Sequence, residues 1–207
     1  MKLRLLCFSD LHRDLGAAQA LSRTGLVGGF DLLLCAGDLA VDGAHEPGLT
    51  TLLSRAGTEI LAVPGNHDGE GYPAELAAAG WTDLHDQLLQ RGQWWFAGFG
   101  LVGSPPGTGE EPADADRMLS LLRRAEAVPK DRLVLVTHLP PAGTLAARDR
   151  RFVDRGSALL AEWVARHQPA ALVCGHVHHP EPVVDRIGGT VVVLGGPRGH
   201  ALTCQAP

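Results

Sequence analysis

Apolar residues in this chain come in short, nearly unbroken runs. They read LRLLCF at residues 3–8, DLLLCA at 31–36, EILAV at 59–63, LVLV at 133–136 and AALVC at 170–174, mostly bounded by Gly, Pro or Asp. Runs this short, without polar alternation, predict strands covered on both faces. Helix-period segments lie between several of them. Residues 14–25 open on Asp and close on Gly, and 47–57 and 73–80 open on Pro and close on Gly. Residues 113–128 are acidic early and basic late, as a helix dipole prefers, and 156–168 form the last such segment. Strand and helix alternate, so the pattern predicts an α/β fold with a largely parallel sheet.

Two regions break the alternation. Residues 87–100 read as a hairpin turning near Arg91-Gly92, and 183–203 as two or three short strands with a turn at Gly188-Gly189. Both are expected to extend the core into two sheets packed face to face. Residues 104–112 (SPPGTGEEP) read as a loop. There is no internal repeat and no sign of a boundary, so 1–207 is taken as a single domain.

Composition narrows this picture modestly. The 207 residues carry a net charge of −5, which offers no electrostatic footprint for long nucleic acids. No apolar run approaches the roughly 18 residues a membrane helix needs. The opening MKLRLLCFSDLH ends in polar residues too early for a signal peptide and reads as a first strand. Cys7, Cys35, Cys174 and Cys204 lie in apolar segments without a CxxC pair, as expected of reduced, buried thiols in a cytoplasmic protein.

The chemistry lies just after the strands. Asp10-Leu11-His12 follows the first, Gly37-Asp38 the second, Gly65-Asn66-His67-Asp68 the third, Thr137-His138 the fourth and Gly175-His176-Val177-His178 the fifth. In an open parallel sheet the carboxyl edge is where ligands bind. Carboxylates and imidazoles together suit first-row divalent metals. Residues two apart in extended chain point the same way, so Asp10 with His12, and His176 with His178, can reach one site or adjacent ones. A carboxylate such as Asp38 can bridge two ions, which stand about 3.5–4 Å apart in two-metal hydrolases. Two divalent cations against Asp10 and Asp38 leave a locally positive site that attracts phosphate esters despite the acidic total.

The ordered set DLH, GD, GNHD, TH and GHVH resembles the calcineurin-like metallophosphoesterase superfamily, and within it the small single-domain bacterial and archaeal members, which share the Pro-Pro of THLPPAG. The resemblance implies a four-layer α/β/β/α sandwich, two mixed sheets flanked by helices, with a dinuclear metal site at the strand carboxyl edge. It implies that Asp10, His12, Asp38 and His178 hold one ion, and that Asp38 bridges to a second held by Asn66, His138 and His176. The implied reaction is phosphate-ester hydrolysis by a metal-bridging hydroxide. His67 then faces the substrate and protonates the leaving group, and Asp68 is expected to orient that imidazole. Mn²⁺ is the expected metal, with Fe, Zn, Co or Ni compatible with the same donors.

Other residues stay open at this point. Arg13 and His45 lie near the motifs, His179 reads as a rim residue, and His200 stands near the last strand. Arg148, Arg150, Arg151 and Arg155 follow the fourth motif, interleaved with Asp149 and Asp154. Trp94 and Trp95 are expected in the core. A dianionic monoester calls for an arginine clamp, and no two-arginine pattern is visible in the motif loops, so diesters of small molecules or nucleotides are favoured. A phosphomonoesterase and a catalytically weak scaffold are the alternatives, and the oligomeric state is not read.

Overall fold

The computed structural model describes residues 2–101 and 115–206. The expected loop at 104–112 lies outside the described residues, as do 113 and 114 at the start of the expected 113–128 helix. In chain order the elements are β1 (Lys2–Phe8), α1 (Leu15–Gly28), β2 (Leu32–Cys35), α2 (Leu49–Ser54), β3 (Ile60–Ala62), α3 (Tyr72–Ala78), β4 (Thr82–Asp83), β5 (Gln87–Arg91) and β6 (Trp94–Phe99). Then follow α4 (Ala115–Ala125), β7 (Leu133–Thr137), α5 (Ala158–His167), β8 (Ala171–Cys174), β9 (Val183–Ile187), β10 (Thr190–Leu194) and β11 (His200–Gln205). All the apolar runs become strands.

The strands form two mixed sheets, in the orders β11-β1-β2-β3-β4 and β5-β6-β7-β8-β10-β9. Within the first, β1 through β4 run parallel and β11 returns antiparallel to β1. Within the second, β6, β7, β8 and β10 run parallel, with antiparallel hairpin partners β5 and β9 on the edges. The expected hairpins are both present, but β11, the last of the 183–203 strands, crosses over to the first sheet.

Side-chain alternation builds the layers. Leu3, Leu5 and Cys7 of β1 face the other sheet, in one apolar layer with Trp94, Phe96, Val134, Val136 and Val173. Leu6 and Phe8, on the opposite face, pack with Leu21 of α1, Leu53 of α2 and Leu76 of α3. On the far side, Leu135 and Leu172 pack with Leu121 of α4 and Leu160 of α5. The result is α/β/β/α. Trp94 lies in the central layer and Trp95 against the α4–α5 side.

Helix α1 runs past the expected stop at Gly25. Gly25 is a packing site: a Cβ there would lie 2.7 Å from Cβ of Ala56, beside α2. The true terminator is Gly29, whose φ of 60° is the left-handed cap that glycine adopts at little cost. At the other end the Asp14 side chain accepts from Ala17 N–H and caps the helix. Among the described residues no helix is long and apolar enough to cross a membrane.

Candidate metal centre

Parallel strands put their carboxyl ends on one edge of each sheet, and here the two edges meet. Asp10 and His12 leave β1, Asp38 leaves β2 and Asn66 follows β3. His138 leaves β7 on the other sheet, and His176 and His178 follow β8. Two groups of donor atoms result. One ligand atom from each of Asp10, His12, Asp38 and His178 falls within 4.8 Å of the others. In the second group, Asn66 Oδ1 lies 3.0 Å from His138 Nε2 and 2.9 Å from His176 Nδ1. One oxygen joins the groups. Asp38 Oδ2 is 3.7 Å from His12 Nε2 and 3.5 Å from His138 Nε2, while Oδ1 is occupied by the His67 amide at 2.8 Å.

The backbone is held in unusual conformations to achieve this. Asp10, His12, Asp38 and His176 have φ of 55°, 44°, 57° and 73°. Left-handed backbone is uncommon outside glycine, though Asp and His tolerate it better than most, and it persists only where the surroundings enforce it. Those surroundings are backbone hydrogen bonds between motif loops, such as Asp10 N–H to Gly37 C=O at 2.9 Å and His12 N–H to Asp38 C=O at 3.0 Å. Gly65 must be glycine for a different reason: a Cβ would stand 2.1 Å from Asp38 Oδ1.

The donor set fits cations. His12 Nδ1 faces the Ala40 carbonyl at 3.1 Å, which only a protonated nitrogen can serve, so in the neutral ring it is Nε2 that carries the lone pair. That lone pair faces His178 Nε2 at 2.9 Å. His138 is wholly buried with an oxygen at each nitrogen: the Ala36 carbonyl 2.7 Å from Nδ1 and Asn66 Oδ1 at Nε2. A buried ring so placed calls for a positive charge, either a second proton or a metal ion at Nε2. Without a metal the proton serves. Burial opposes it, but the Asp38 charge, a hydrogen bond to that carboxylate and the Asp10 charge outweigh burial and lift His138 to about 9. Burial likewise pushes Asp38 up, and His138 in turn overrides it and holds the carboxyl below its usual range. Asp10 is pushed up to about 6, chiefly by burial against the pull of His138. Burial and then the His138 charge hold His176 down at about 3. Imidazole nitrogens and close-set carboxylates together are a metal-ligand set.

The site opens into a cavity of about 530 Å³ whose lining includes Asp38, Asn66, His176 and His178. His67 stands on its wall, its ring edge-on to His12 with centroids 5.0 Å apart.

A calcineurin-like phosphoesterase family model matches residues 3–180, a span that contains all of these motifs. The chain belongs to this family. It is 30% identical to the UPF0046 protein K07C11.7 of Caenorhabditis elegans, over 92% of this chain and 68% of that one. Its fold is similar to that of TT1561 from Thermus thermophilus, with a TM-score of 0.73, 19% identity, and coverage of 99% of this chain and 100% of the other. It is also similar to Mycobacterium tuberculosis phosphopantetheinyl hydrolase, with a TM-score of 0.60, 16% identity, and coverage of 94% and 89%. The family and the Asp/His cluster together make this a divalent-metal, phosphate-ester type of site.

The structure reassigns one residue. Asp68 does not orient His67. It is buried, and its carboxylate accepts four backbone amides, those of Asp38, Leu39, Ala40 and Gly65, at 2.8–2.9 Å. A carboxylate with four amide donors has no lone pair left to steer a neighbouring ring. It locks the loop that carries Asp38 to the loop that carries Asn66. Beside His67 stands Asp42 instead, with Oδ1 3.1 Å from Nδ1. Asp42 carried no separate sequence signal, because Asp42-Gly43 reads only as a turn. Its proximity depends on the link from Gly43 N–H to the His67 carbonyl, 2.9 Å.

The open residues also find places. Arg13 is tied to Glu46, its Nη2 2.9 Å from the carboxylate. His45 is paired with Glu75 of α3. His179 lines a second cavity of about 220 Å³ together with Asp10, Arg150 and His178. His200 opens β11, opposite Cys7. Of the arginines after the fourth motif, Arg150, Arg151 and Arg155 line the main cavity.

Proposed function

We propose that this protein is a dinuclear, metal-dependent phosphodiesterase acting on small-molecule or nucleotide esters. The observation that carries the reading is Asp38 Oδ2, one carboxylate oxygen facing both the His12 and the His138 nitrogens. Two divalent ions held by these groups would supply a water of lowered pKa as the nucleophile and would neutralise charge on the phosphoryl oxygens. The chain's own residues supply the rest. His67, on the cavity wall next to His12, gives a proton to the leaving oxygen, and Asp42 steadies its Nδ1 side. Oxygen and nitrogen donors without a thiolate suit Mn²⁺, with Fe, Zn, Co or Ni as alternatives.

Two cavities support a diester. The larger and the smaller share Arg150, Val177 and His178 as a common border, which leaves room for one ester arm on each side of a phosphorus at the metal ligands. Hydrolysis also agrees with the activity named for the structurally similar phosphopantetheinyl hydrolase. A phosphomonoesterase is the second reading. The arginines on the cavity wall favour it, since arginine forks match the oxygens of a dianionic phosphate. A catalytically weak scaffold is disfavoured because the His67 position and both ligand groups are intact.

The deciding experiment is hydrolysis of bis-p-nitrophenyl phosphate by metal-stripped protein, with and without added Mn²⁺. Metal-dependent turnover is the expected result. No turnover with two ions bound would overturn the diesterase reading.

A further inference from the structure

The segment ARDRRFVDR between β7 and α5 folds into a tight, cross-braced hairpin. Arg148 and Asp154 form an antiparallel bridge. Asp149 N–H donates to the Val153 carbonyl at 3.0 Å, and Phe152 N–H to the Asp149 carbonyl at 2.8 Å. The Asp149 side chain braces the turn from inside, with Oδ1 accepting from the Arg151 and Val153 amides at 2.8 and 2.9 Å. Phe152 sits at φ 62°, a conformation that a bulky residue holds only where neighbouring bonds force it. The turn is therefore built, and it fixes what it displays.

It displays two unused cations. Arg155 is held by Asp149 at 3.1 Å and Arg148 by Asp154 at 3.5 Å, which occupies both aspartates of the segment. Arg150 and Arg151 are exposed, and neither guanidinium has a hydrogen bond or ion pair among the described residues. Both line the main cavity, and Arg150 also borders the smaller one. Two adjacent like charges repel, and they add nothing to folding unless an anion meets them. The metal ligands that line the cavity serve the phosphate being cleaved, whereas these two exposed side chains line the same cavity from the hairpin and belong to neither donor group.

We propose that Arg150 and Arg151 form a second anion subsite, so that the preferred substrate is a phosphate ester carrying a further phosphate group on one of its arms. This rests on the phosphoesterase reading of the metal site. Arginine forks give charge-assisted, bidentate contacts to phosphate, and one such contact is worth roughly ten-fold in affinity.

Matched pairs test it. Calorimetry on the purified protein compares thymidine 3′,5′-bisphosphate with thymidine 5′-phosphate, and ADP with AMP, so that a second phosphate is either separated by a sugar or adjacent. Turnover compares thymidine 5′-(p-nitrophenyl phosphate) with and without a 3′-phosphate, where the leaving group is the same. The expected result is a preference of roughly ten-fold for the doubly phosphorylated member of at least one binding pair. That preference should fall to about one in the Arg150→Ala/Arg151→Ala double variant and survive in Arg150→Lys/Arg151→Lys, which keeps the charges. A wild-type ratio near one in both binding pairs would overturn the proposal. So would a ratio unchanged by the alanine pair, including the case where both members weaken equally because the arginines grip the scissile phosphate itself. Absence of metal-dependent turnover with a calorimetric preference intact would fault the reaction and leave the subsite standing.

Discussion

Asp68 and His67 are neighbours in sequence and have different duties. Asp68 satisfies four buried amides, and each such bond to a charged acceptor is worth about 1.5–3 kcal/mol when removal leaves the donor unpaired. Asp68→Asn replaces one accepting oxygen by a donor that faces amide donors. It should cost about 3 kcal/mol of stability, read by chemical denaturation, and lower metal content along with it. A variant of wild-type stability with altered turnover alone would return Asp68 to an orienting role. His67→Ala removes a cavity-wall side chain that is not in either donor group. It should keep both metals by elemental analysis and lose roughly 10²–10⁴ in kcat on esters with poor leaving groups. Activated nitrophenyl esters need less protonation of the leaving oxygen and should show a smaller loss. Wild-type turnover of a poor leaving group would remove His67 from the reaction.

At the level of elements, the strands explain both the thiols and the site. Cys7, Cys35, Cys174 and Cys204 are all free and buried on or within strands. Burial pushes even the Cys204 thiol up to about 11, and burial raises Cys7, Cys35 and Cys174 further, with added repulsion from nearby ionisable acids and thiols. A pKa raised this far leaves the group as neutral thiol at pH 8, and the thiolate is the reactive form. A disulfide reagent at pH 8 should therefore label none of the four rapidly in the native protein and all four in denaturant. Rapid labelling of a native thiol would mean that its strand opens locally. The same strands end where the chemistry begins. Parallel neighbours in register bring Ala36 and Phe8 together through a 2.9 Å hydrogen bond, and the polar residues that follow inherit that alignment.

At the scale of the whole molecule, the candidate ligands come from both sheets. Asp10, His12, Asp38 and Asn66 follow strands of one, and His138, His176 and His178 follow strands of the other. An ion bound by both sets links the two halves of the sandwich in the native state alone, and anything that binds only the native state raises stability by mass action. Metal removal should therefore lower Tm, and Mn²⁺ at about 100 times its Kd should restore about 2.7 kcal/mol per site. Asp38→Asn, which removes the shared charge, should reduce the content of both ions, where His178→Ala should reduce chiefly one. A Tm indifferent to metal would contradict a site that spans the sheets.

The sequence by itself determined the alternation of strand and helix and the identity of the polar residues at each strand end. Both are local signals: an apolar run of strand length, then a glycine or a carboxylate. It also marked both hairpins, because Arg91-Gly92 and Gly188-Gly189 carry their own turn chemistry. The tertiary structure alone decided which neighbours those residues meet. Asp42 takes the place beside His67, Asp68 turns inward to amides, Gly25 serves helix packing instead of ending a helix, and β11 joins the far sheet. Among the described residues the Arg150 and Arg151 guanidinium groups stand unpaired, because Asp149 and Asp154 are already bound to Arg155 and Arg148. Each of these outcomes is a contact between loops or elements, set by how the two sheets close on one another, and no short stretch of residues encodes it.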